Sequence, residues 1–574
     1  MEKIEYWVLC GGVDPPYPIS EEYIVRLDTT KVDQQTVKLR VEDISRALIK
    51  DVPDTLVDLL EIAAYVYCGD QAVSRGSDII RAVDTKWYPT LHFVIPVRQA
   101  DFWSNRELVD LLSRTLNFLY GGTLTFRFIK HPKPPPLESY LDFGQVVEAE
   151  EVVLFSGGLD SLSGTIQEIA VHKRHVALVS HRSVSGMYKR QDDLFQAIKE
   201  RFPDKKVDHV PIWVHKRRFR EKADTQRTRS FLFASLAVTV AKLLKLSRIR
   251  FYENGVTSIN LPIATELLGT RASRTTHPQV LHYFNELFSL ITEDEFKVEN
   301  PFALKTKTEV VSLLGKENCE ELIKETVSCS GTRHSIKTKR HCCSCTQCID
   351  RRFATLANGY ERFDPESLYS LDLLTGPREP GEQRALALSF VKKALEIEDM
   401  TEHGFFREFG EASRAVDYLD GRTGENAEKI FNLYNRHAEV VSRVMEEGIQ
   451  RHTKALLRHE LPAYCLLVMA VDYDSLPKEA EAEGAFSHSD DFRSINYNGF
   501  AYTLTSKQAE VVKLLYNAWE QGTPDIGQGF ILTKLDPDDK RSNRRLRDVF
   551  KSTPEVWGTL IIPGSKKGTY RLNI

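Results

Sequence analysis

Three groups of residues have the types and spacing to do chemistry. The first is Glu151-Val-Val-Leu-Phe-Ser-Gly-Gly-Leu-Asp-Ser161. Val152 to Phe155 reads as a short buried strand. Ser156, Gly157 and Gly158 turn the chain, and helical spacing follows from Leu162 to Ile169, with Asp160 and Ser161 at its mouth. A glycine turn between strand and helix leaves backbone N–H groups unpaired at the positive end of the helix dipole, and together these cradle phosphate. The pattern is neither GxxxxGK[ST] nor GxGxxG, and an ordinary strand–helix turn that happens to hold two glycines is the plain alternative. The second group is Lys307, at the start of a helix that continues through Glu309, Val310 and Val311. A lysine there can neutralise a leaving pyrophosphate; a surface lysine is the alternative. The third is Cys329, followed by Cys342, Cys345 and Cys348 in a C-x2-C-x2-C knuckle. Four thiolates suit a closed structural zinc site. An iron–sulfur cluster could use the same residues, and Cys343 and His341 stand nearby as spare ligands.

These groups need elements to position them. From 149 the pattern alternates: strands at His175–Ser180, Val207–Val214 and Ile249–Glu253, helices at Met187–Arg201 and Arg229–Leu246. Such alternation predicts a parallel sheet covered on both faces. Ligands then sit at the carboxyl ends of the strands, where Ser156–Ser161, Ser180–His181 and Glu253–Gly255 fall. Residues 1–148 read as an α+β domain with strands at Ile4–Cys10, Tyr23–Leu27, Leu91–Val97 and Thr123–Ile129, and helices at Thr55–Tyr67 and Asn105–Tyr120. The stiff run His131–Pro136 marks its end. The basic patch His215–Arg220 is either a solvated loop or a phosphate or nucleic-acid contact.

Composition narrows the class. The chain has 574 residues, 42% hydrophobic and 28% charged, with a net charge of −4. That is an ordinary globular balance with no global field toward nucleic acid or membrane. The N-terminus lacks the pattern of a signal peptide, and no apolar run approaches 18 residues, which predicts a soluble cytoplasmic protein. Five of the nine cysteines lie between Cys329 and Cys348, a clustering that points to metal rather than disulfides.

The SGGxDS loop resembles the pyrophosphate loop of ATP pyrophosphatases. Joined to the cysteine cluster and the following Asp350-Arg351-Arg352, it resembles the 7-cyano-7-deazaguanine synthase family over about 149 to 360. Arg227–Ser230 and the Pro301 to Glu309 segment match that layout too. The resemblance implies a Rossmann-like α/β core with a zinc knuckle. It also implies an enzyme that uses ATP and Mg²⁺ to activate the carboxylate of 7-carboxy-7-deazaguanine as an acyl adenylate. Ammonia then gives the amide, and a second activation gives the nitrile. On this reading Ser156, Gly157, Gly158, Asp160 and Ser161, with Ser180 and Arg229, hold the nucleotide and its metal. Asp160 and Lys307 are the catalytic candidates, and Cys329, Cys342, Cys345 and Cys348 bind zinc. The family's base-recognition stretch is altered, however: here the chain reads Asn254–Asn260 and then Ser273–Pro278. Arg274, Thr276 and His277 are either substrate contacts or loop caps.

Residues 365–495 are helical by pattern, at Gln383–Ile397 and Ala427–Glu447 for instance. In 496–574 a helix over Thr505–Trp519, a basic helix over Lys540–Lys551 and a hairpin from Thr559 to Asn573 follow the order of a winged helix, which docks protein or reads DNA. Enlarged relatives of the family occur in antiphage operons. With the altered stretch and the added segments, that association implies amide formation onto an amine of a partner protein. The alternatives are ordinary nitrile synthesis with ammonia, and a non-catalytic nucleotide sensor whose winged helix binds DNA.

Overall fold

In the computed structural model the described residues are 5–29, 36–48, 50–73, 89–134, 148–183, 185–216, 227–261, 274–329, 340–379, 381–471, 486–489, 491–497, 500–520, 524–535, 545–551, 553, 556–564 and 568–573. The chain forms two compact units, 1–75 with 86–473, and 76–85 with 474–574.

The first unit holds two sheets. One has four strands, β1 (Glu5–Cys10), β2 (Ile24–Leu27), β4 (Thr90–Val97) and β5 (Leu124–Lys130), in the order β2-β1-β4-β5. Every pairing in it is parallel. The N-terminal segment is therefore α/β, not the α+β domain its strand content predicts. The helix Asp54–Ala72 leads into β4, and the helix Arg106–Tyr120 is the crossover between the parallel neighbours β4 and β5. β3 (Val37–Leu39) leaves this sheet and pairs antiparallel with β8 (Val207–Lys216) in the second.

The second sheet has the order β10-β9-β6-β7-β8-β3, where β6 is Glu151–Leu154, β7 Val176–Arg182, β9 Arg248–Arg250 and β10 Lys297–Glu299. From β10 to β8 its pairings are parallel. The helix Arg229–Leu243 is apolar on all sides, so it must be covered on all sides. It packs on β6, β7 and β9 and against the helix Asp54–Ala72. One core thus runs from Val8 and Phe93 of the first sheet to Val152 and Val210 of the second. The opposite face of the second sheet is closed by a separate cluster that includes Val153, Phe155, Ile166, Leu194 and Val311.

After the cysteine cluster come the helices Glu382–Glu398 and Thr423–Leu457, packed on each other. The long one also lies on the helices Gly255–Ile259, Lys307–Lys316 and Thr346–Ala357. Among the described residues no helix is long and apolar enough to cross a membrane.

In the second unit, Phe486–His488, Ser494–Tyr497 and Phe500–Thr503 form an antiparallel meander. The helix Ser506–Glu520, a two-residue strand Ile526–Gly527 and the helix Gln528–Leu535 follow. Thr569–Leu572 pairs antiparallel with Ile526–Gly527 on one side and Ile561–Pro563 on the other. Val511, Val512, Leu515, Ile531, Leu546 and Ile561 are part of its own core. Of the expected basic helix, Lys540, Arg541 and Arg544 lie outside the described residues, as do Lys566 and Lys567 of the hairpin. Leu546–Phe550 is a short 3-10 turn.

Candidate active site and cysteine cluster

The loop is built by one strand end and one helix start. After β6 the chain turns through Gly157, whose φ of +83° suits glycine and strains any other residue. The helix Leu159–Ile166 begins at once, with Gly158 as its N-cap. No side chain caps it there, so the first-turn N–H groups stay available to an anion. The Ser156 hydroxyl accepts from Gly158 N–H at 3.2 Å and donates to Ser161 Oγ at 3.2 Å, while Ser161 Oγ donates to Gly158 O at 2.9 Å. Two outside segments brace the turn. Gln191 Nε2 donates to Ser156 O at 3.3 Å, and Val327 N–H donates to Gly157 O at 3.0 Å.

Asp160 and Lys307 come together across 147 residues of sequence. Lys307 Nζ donates to Asp160 Oδ2 at 2.9 Å, and both residues are buried, at 2% and 9% exposure. Asn254 adds its side-chain N–H groups at 3.0 Å and its backbone N–H at 3.3 Å to the same oxygen. Asp160 Oδ1 is buried and unbonded. Burial works against the Lys307 ammonium, but Asp160 and then Asp350 hold its pKa above the ordinary lysine value. The lysine helix is anchored by a capping box in which Thr306 Oγ1 and the Glu309 carboxylate each accept a backbone N–H. Arg436, from the helix Thr423–Leu457, then donates to Glu309 at 2.8 Å.

Two further carboxylates surround the pair. Burial pushes the Asp350 pKa up to about 7, with Lys307 pulling it down and Asp160 pushing it up. Glu253 is also raised, by burial, against the hydroxyls of Thr276 and Thr275 that donate to it. The site therefore gathers Asp160, Glu253 and Asp350 near one lysine. Mg²⁺ is held by one or two carboxylates together with substrate phosphates. The unbonded Asp160 Oδ1 fits that requirement.

The other candidate residues have their own partners. Ser180 Oγ is fully buried behind the loop, donating to Phe155 O at 2.7 Å, with His209 Nε2 at 2.9 Å. Arg229 lies over the Phe233 ring, 4.8 Å from its centroid. Arg274 donates to Phe118 O at 3.2 Å and covers the Phe118 ring at 4.5 Å. Thr276 donates to Glu253 and sits 2.9 Å from Ser258 Oγ. His277 Nδ1 accepts from Gln279 N–H at 3.2 Å and caps the helix Pro278–Thr292.

Cys329, Cys342, Cys345 and Cys348 bring their sulfurs within 4.8 Å of one another. Ser344 and Cys345 N–H groups point at Cys342 Sγ, at 3.4 and 3.3 Å, as they do toward a thiolate. Four convergent soft donors fit Zn²⁺, and the spare ligand His341 stands beside them with Nδ1 4.0 Å from Cys348 Sγ. Cys343 takes φ +56° and turns away into the core, where burial pushes its thiol up to about 12. Behind the cluster, the fully buried Arg351 pairs with Asp364 at 2.8 Å and donates to Ile323 O at 2.9 Å and to Thr326 Oγ1 at 2.5 Å. That network ties the knuckle helix Thr346–Ala357 to the segment that braces Gly157.

Gln191 and Val327 are the parts of the site that the sequence does not announce. Asp350 had a signal: it follows the last cysteine in the same Asp-Arg-Arg run.

Residues 274–359 match the family model described as Queuosine biosynthesis protein QueC. The match spans Lys307, the four cysteines and Asp350, so the segment that completes this site is QueC-like. Ser156–Ser161 lies before it. No curated protein matches the chain.

Proposed function

We propose that the chain is an ATP-dependent adenylating ligase. It activates the carboxylate of 7-carboxy-7-deazaguanine and passes the acyl group to an amine of a partner protein, in the antiphage setting of enlarged relatives. The observation that carries this reading is the buried Asp160–Lys307 pair at the open N-terminus of the loop helix. A carboxylate oxygen of the acid attacks the α-phosphorus of ATP, and pyrophosphate leaves with the P–O electron pair. The loop N–H groups bind the departing phosphates, and Lys307 offsets the charge that develops on them. Mg²⁺, when bound, would add positive charge at the same phosphates, with Asp160 Oδ1 as its protein ligand. The amine nitrogen then attacks the acyl carbon, loses its proton, and AMP departs with the C–O electron pair. The partner amine is supported by the helices of 382–457, which wall the site beyond the segment matched to the family.

The test combines the full chain with ATP, Mg²⁺, the deazaguanine acid and candidate neighbouring proteins. AMP and pyrophosphate should form, one protein should gain the deazaguanine mass on an amine, and Asp160→Ala should abolish all of it. Efficient nitrile formation from ammonia without any protein adduct would return the chain to the ordinary biosynthetic reaction. Unchanged AMP formation by Asp160→Ala would remove the site itself.

A further inference from the structure

A cleft lies beside Asp350. It is formed by the helix Gly255–Ile259, the knuckle helix Thr346–Ala357 and the two long helices Glu382–Glu398 and Thr423–Leu457. It encloses about 70 Å³, several times the space one water needs. Asp350 lines it at 6% exposure, and among the described residues no hydrogen bond or ion pair holds its carboxylate. Of the nearby cations, Lys307 is bonded to Asp160, and Lys393, which also lines the cleft, pairs with Glu396 and Glu408 at 3.1 and 3.9 Å. Gln347, three positions earlier on the same helix, also lines the cleft with no hydrogen bond among the described residues. The walls facing them are aromatic: Phe390, Phe409, Tyr434 and His437, the last edge-on to Phe390 at 5.5 Å.

An isolated buried carboxylate is costly and is not retained for packing. It needs N–H donors, and two parallel acceptor oxygens suit a donor pair held in one plane. The pyrimidinone edge of a guanine-like base offers that pair, a ring N–H beside an exocyclic amino group. A side-chain amide next to it can meet the neighbouring carbonyl, and aromatic walls take the ring faces.

Resting on the adenylation reading above, we propose that this cleft is the base pocket of the substrate, with Asp350 reading the N–H and amino edge and Gln347 beside it. Three of the four aromatic walls come from Phe390, Tyr434 and His437 on the two long helices, outside the segment matched to the family. Base recognition in this chain is thereby moved from the stretch after Glu253, where Thr276 and His277 serve Glu253 and a helix cap, to the added helices.

The test is calorimetric titration of the full-length protein, without ATP, with 7-carboxy-7-deazaguanine and with its analogue lacking the 2-amino group. The wild type should prefer the parent acid roughly 10- to 100-fold, the worth of one or two hydrogen bonds to a charged group. Asp350→Asn should lose that preference while keeping its zinc and its melting temperature. Gln347→Ala, a less buried change, should weaken the parent acid several-fold and stands in if Asp350→Asn fails to fold. Equal binding of both ligands by the wild type, or an intact preference in Asp350→Asn, overturns the pocket. If AMP formation from the acid persists in that case, the adenylation reading survives. Displacement by lysine methyl ester but not by the deazaguanine would assign the cleft to the acceptor amine and overturn the proposal. A wild type that neither binds the acid nor makes AMP from it removes both readings together.

Discussion

Two Gly-Gly turns end two parallel strands of this chain, and only one of them opens a helix. Gly11 and Gly12 follow β1 with φ of +60° and +77°, and Gly157 follows β6 with +83°. At the first turn the backbone closes on itself. Gly11 N–H donates to Leu27 O at 2.8 Å, and Val13 N–H donates to Cys10 O at 3.3 Å. A Cβ on Gly11 would stand 2.6 Å from Pro96 Cγ, so glycine there answers to packing. At the second turn a helix begins immediately, and its first N–H groups have no intrahelical partners. The same pair of letters is a spatial requirement in one place and an anion site in the other. The elements that follow decide which.

The difference should break most completely at the cysteines. Cys345→Ser should lose the metal, and with it a contribution on the order of 10 kcal/mol in small zinc fingers, part of which a larger core retains. The segment ending at Cys329 carries Val327, which braces Gly157, so the second turn should lose its shape along with the metal. Elemental analysis and thermal melting check this. A chelated protein that melts unchanged would show that the cluster does not support the fold.

Next in size are two cations that face buried carboxylates, Arg98 and Lys307. Arg98, beyond the end of β4, lies at 3.2 Å from Asp58 and 2.8 Å from Glu61, and Asp58 also accepts the backbone N–H groups of Arg98 and Gln99. Lys307 faces carboxylates that are only partly used. Lys307→Met should lower AMP formation by about 100- to 1,000-fold, the scale for losing one charge-stabilising group. Arg98→Met should instead cost about 3–5 kcal/mol of stability, for stranding buried carboxylates, and leave the rate per folded molecule intact. Steady-state kinetics beside urea unfolding separates the two. A rate loss in Arg98→Met would merge the sites.

What the sequence made legible was local. The strand, glycine turn and helix at 151–166, Lys307 as a helix start and the C-x2-C-x2-C spacing are each contiguous in sequence, and such patterns report directly on backbone shape. The roles of Asn254 and Asp350 could not be found that way, because Asn254 bonds Asp160 and Asp350 comes near Lys307 only through the fold. The first sheet was misread for a related reason. Its strands and helices were placed, but strand direction is set by pairing across the fold, and local periodicity does not report it. The parallel order emerges only with the crossovers in place. Val37–Leu39 is three residues long and joins a strand more than 160 positions away, so no periodicity marks it. Arg274, Thr276 and His277 read equally as substrate contacts or loop caps, and in the fold their partners include Phe118 and Glu411, Glu253 and Ser258, and a helix N-terminus.

The glycines themselves give a smaller effect. Gly157→Ala and Gly11→Ala both place a side chain at positive φ, at about 1–2 kcal/mol each. Gly11→Ala should cost more, because of the Pro96 contact. At Gly157 the nearest atom to a new Cβ is Gln191 Cγ at 3.2 Å, a tight contact but a looser one than at Gly11. Gly157→Ala should raise KM for ATP, and Gly11→Ala should leave it alone. Equal kinetics in the two variants would mean the second turn does not hold the nucleotide.

The smallest effect lies where the two halves of the first unit meet. His277 is 3% exposed, and its ring packs 5.5 Å from Phe118 of the helix Arg106–Tyr120. Burial, with help from Arg274 and Arg414, lowers its pKa from 6.5 to about 3. Its cap requires the neutral ring, because Nδ1 accepts the Gln279 N–H. Above pH 6.5 neither the folded nor the unfolded chain protonates this group, and its contribution to stability is complete. Below 6.5 the unfolded chain takes up a proton that the folded one refuses, so stability falls progressively toward pH 3. Asparagine keeps an acceptor at the cap and cannot titrate there. His277→Asn should therefore lose some packing at pH 7.5 but show a shallower loss of melting temperature from pH 6.5 to 5 than the wild type. His209, lowered to about 4 mainly by burial, adds to the slope in both proteins and cancels in the comparison. Parallel slopes would show that His277 takes up its proton in the folded chain, and the joint between the halves would then tolerate charge.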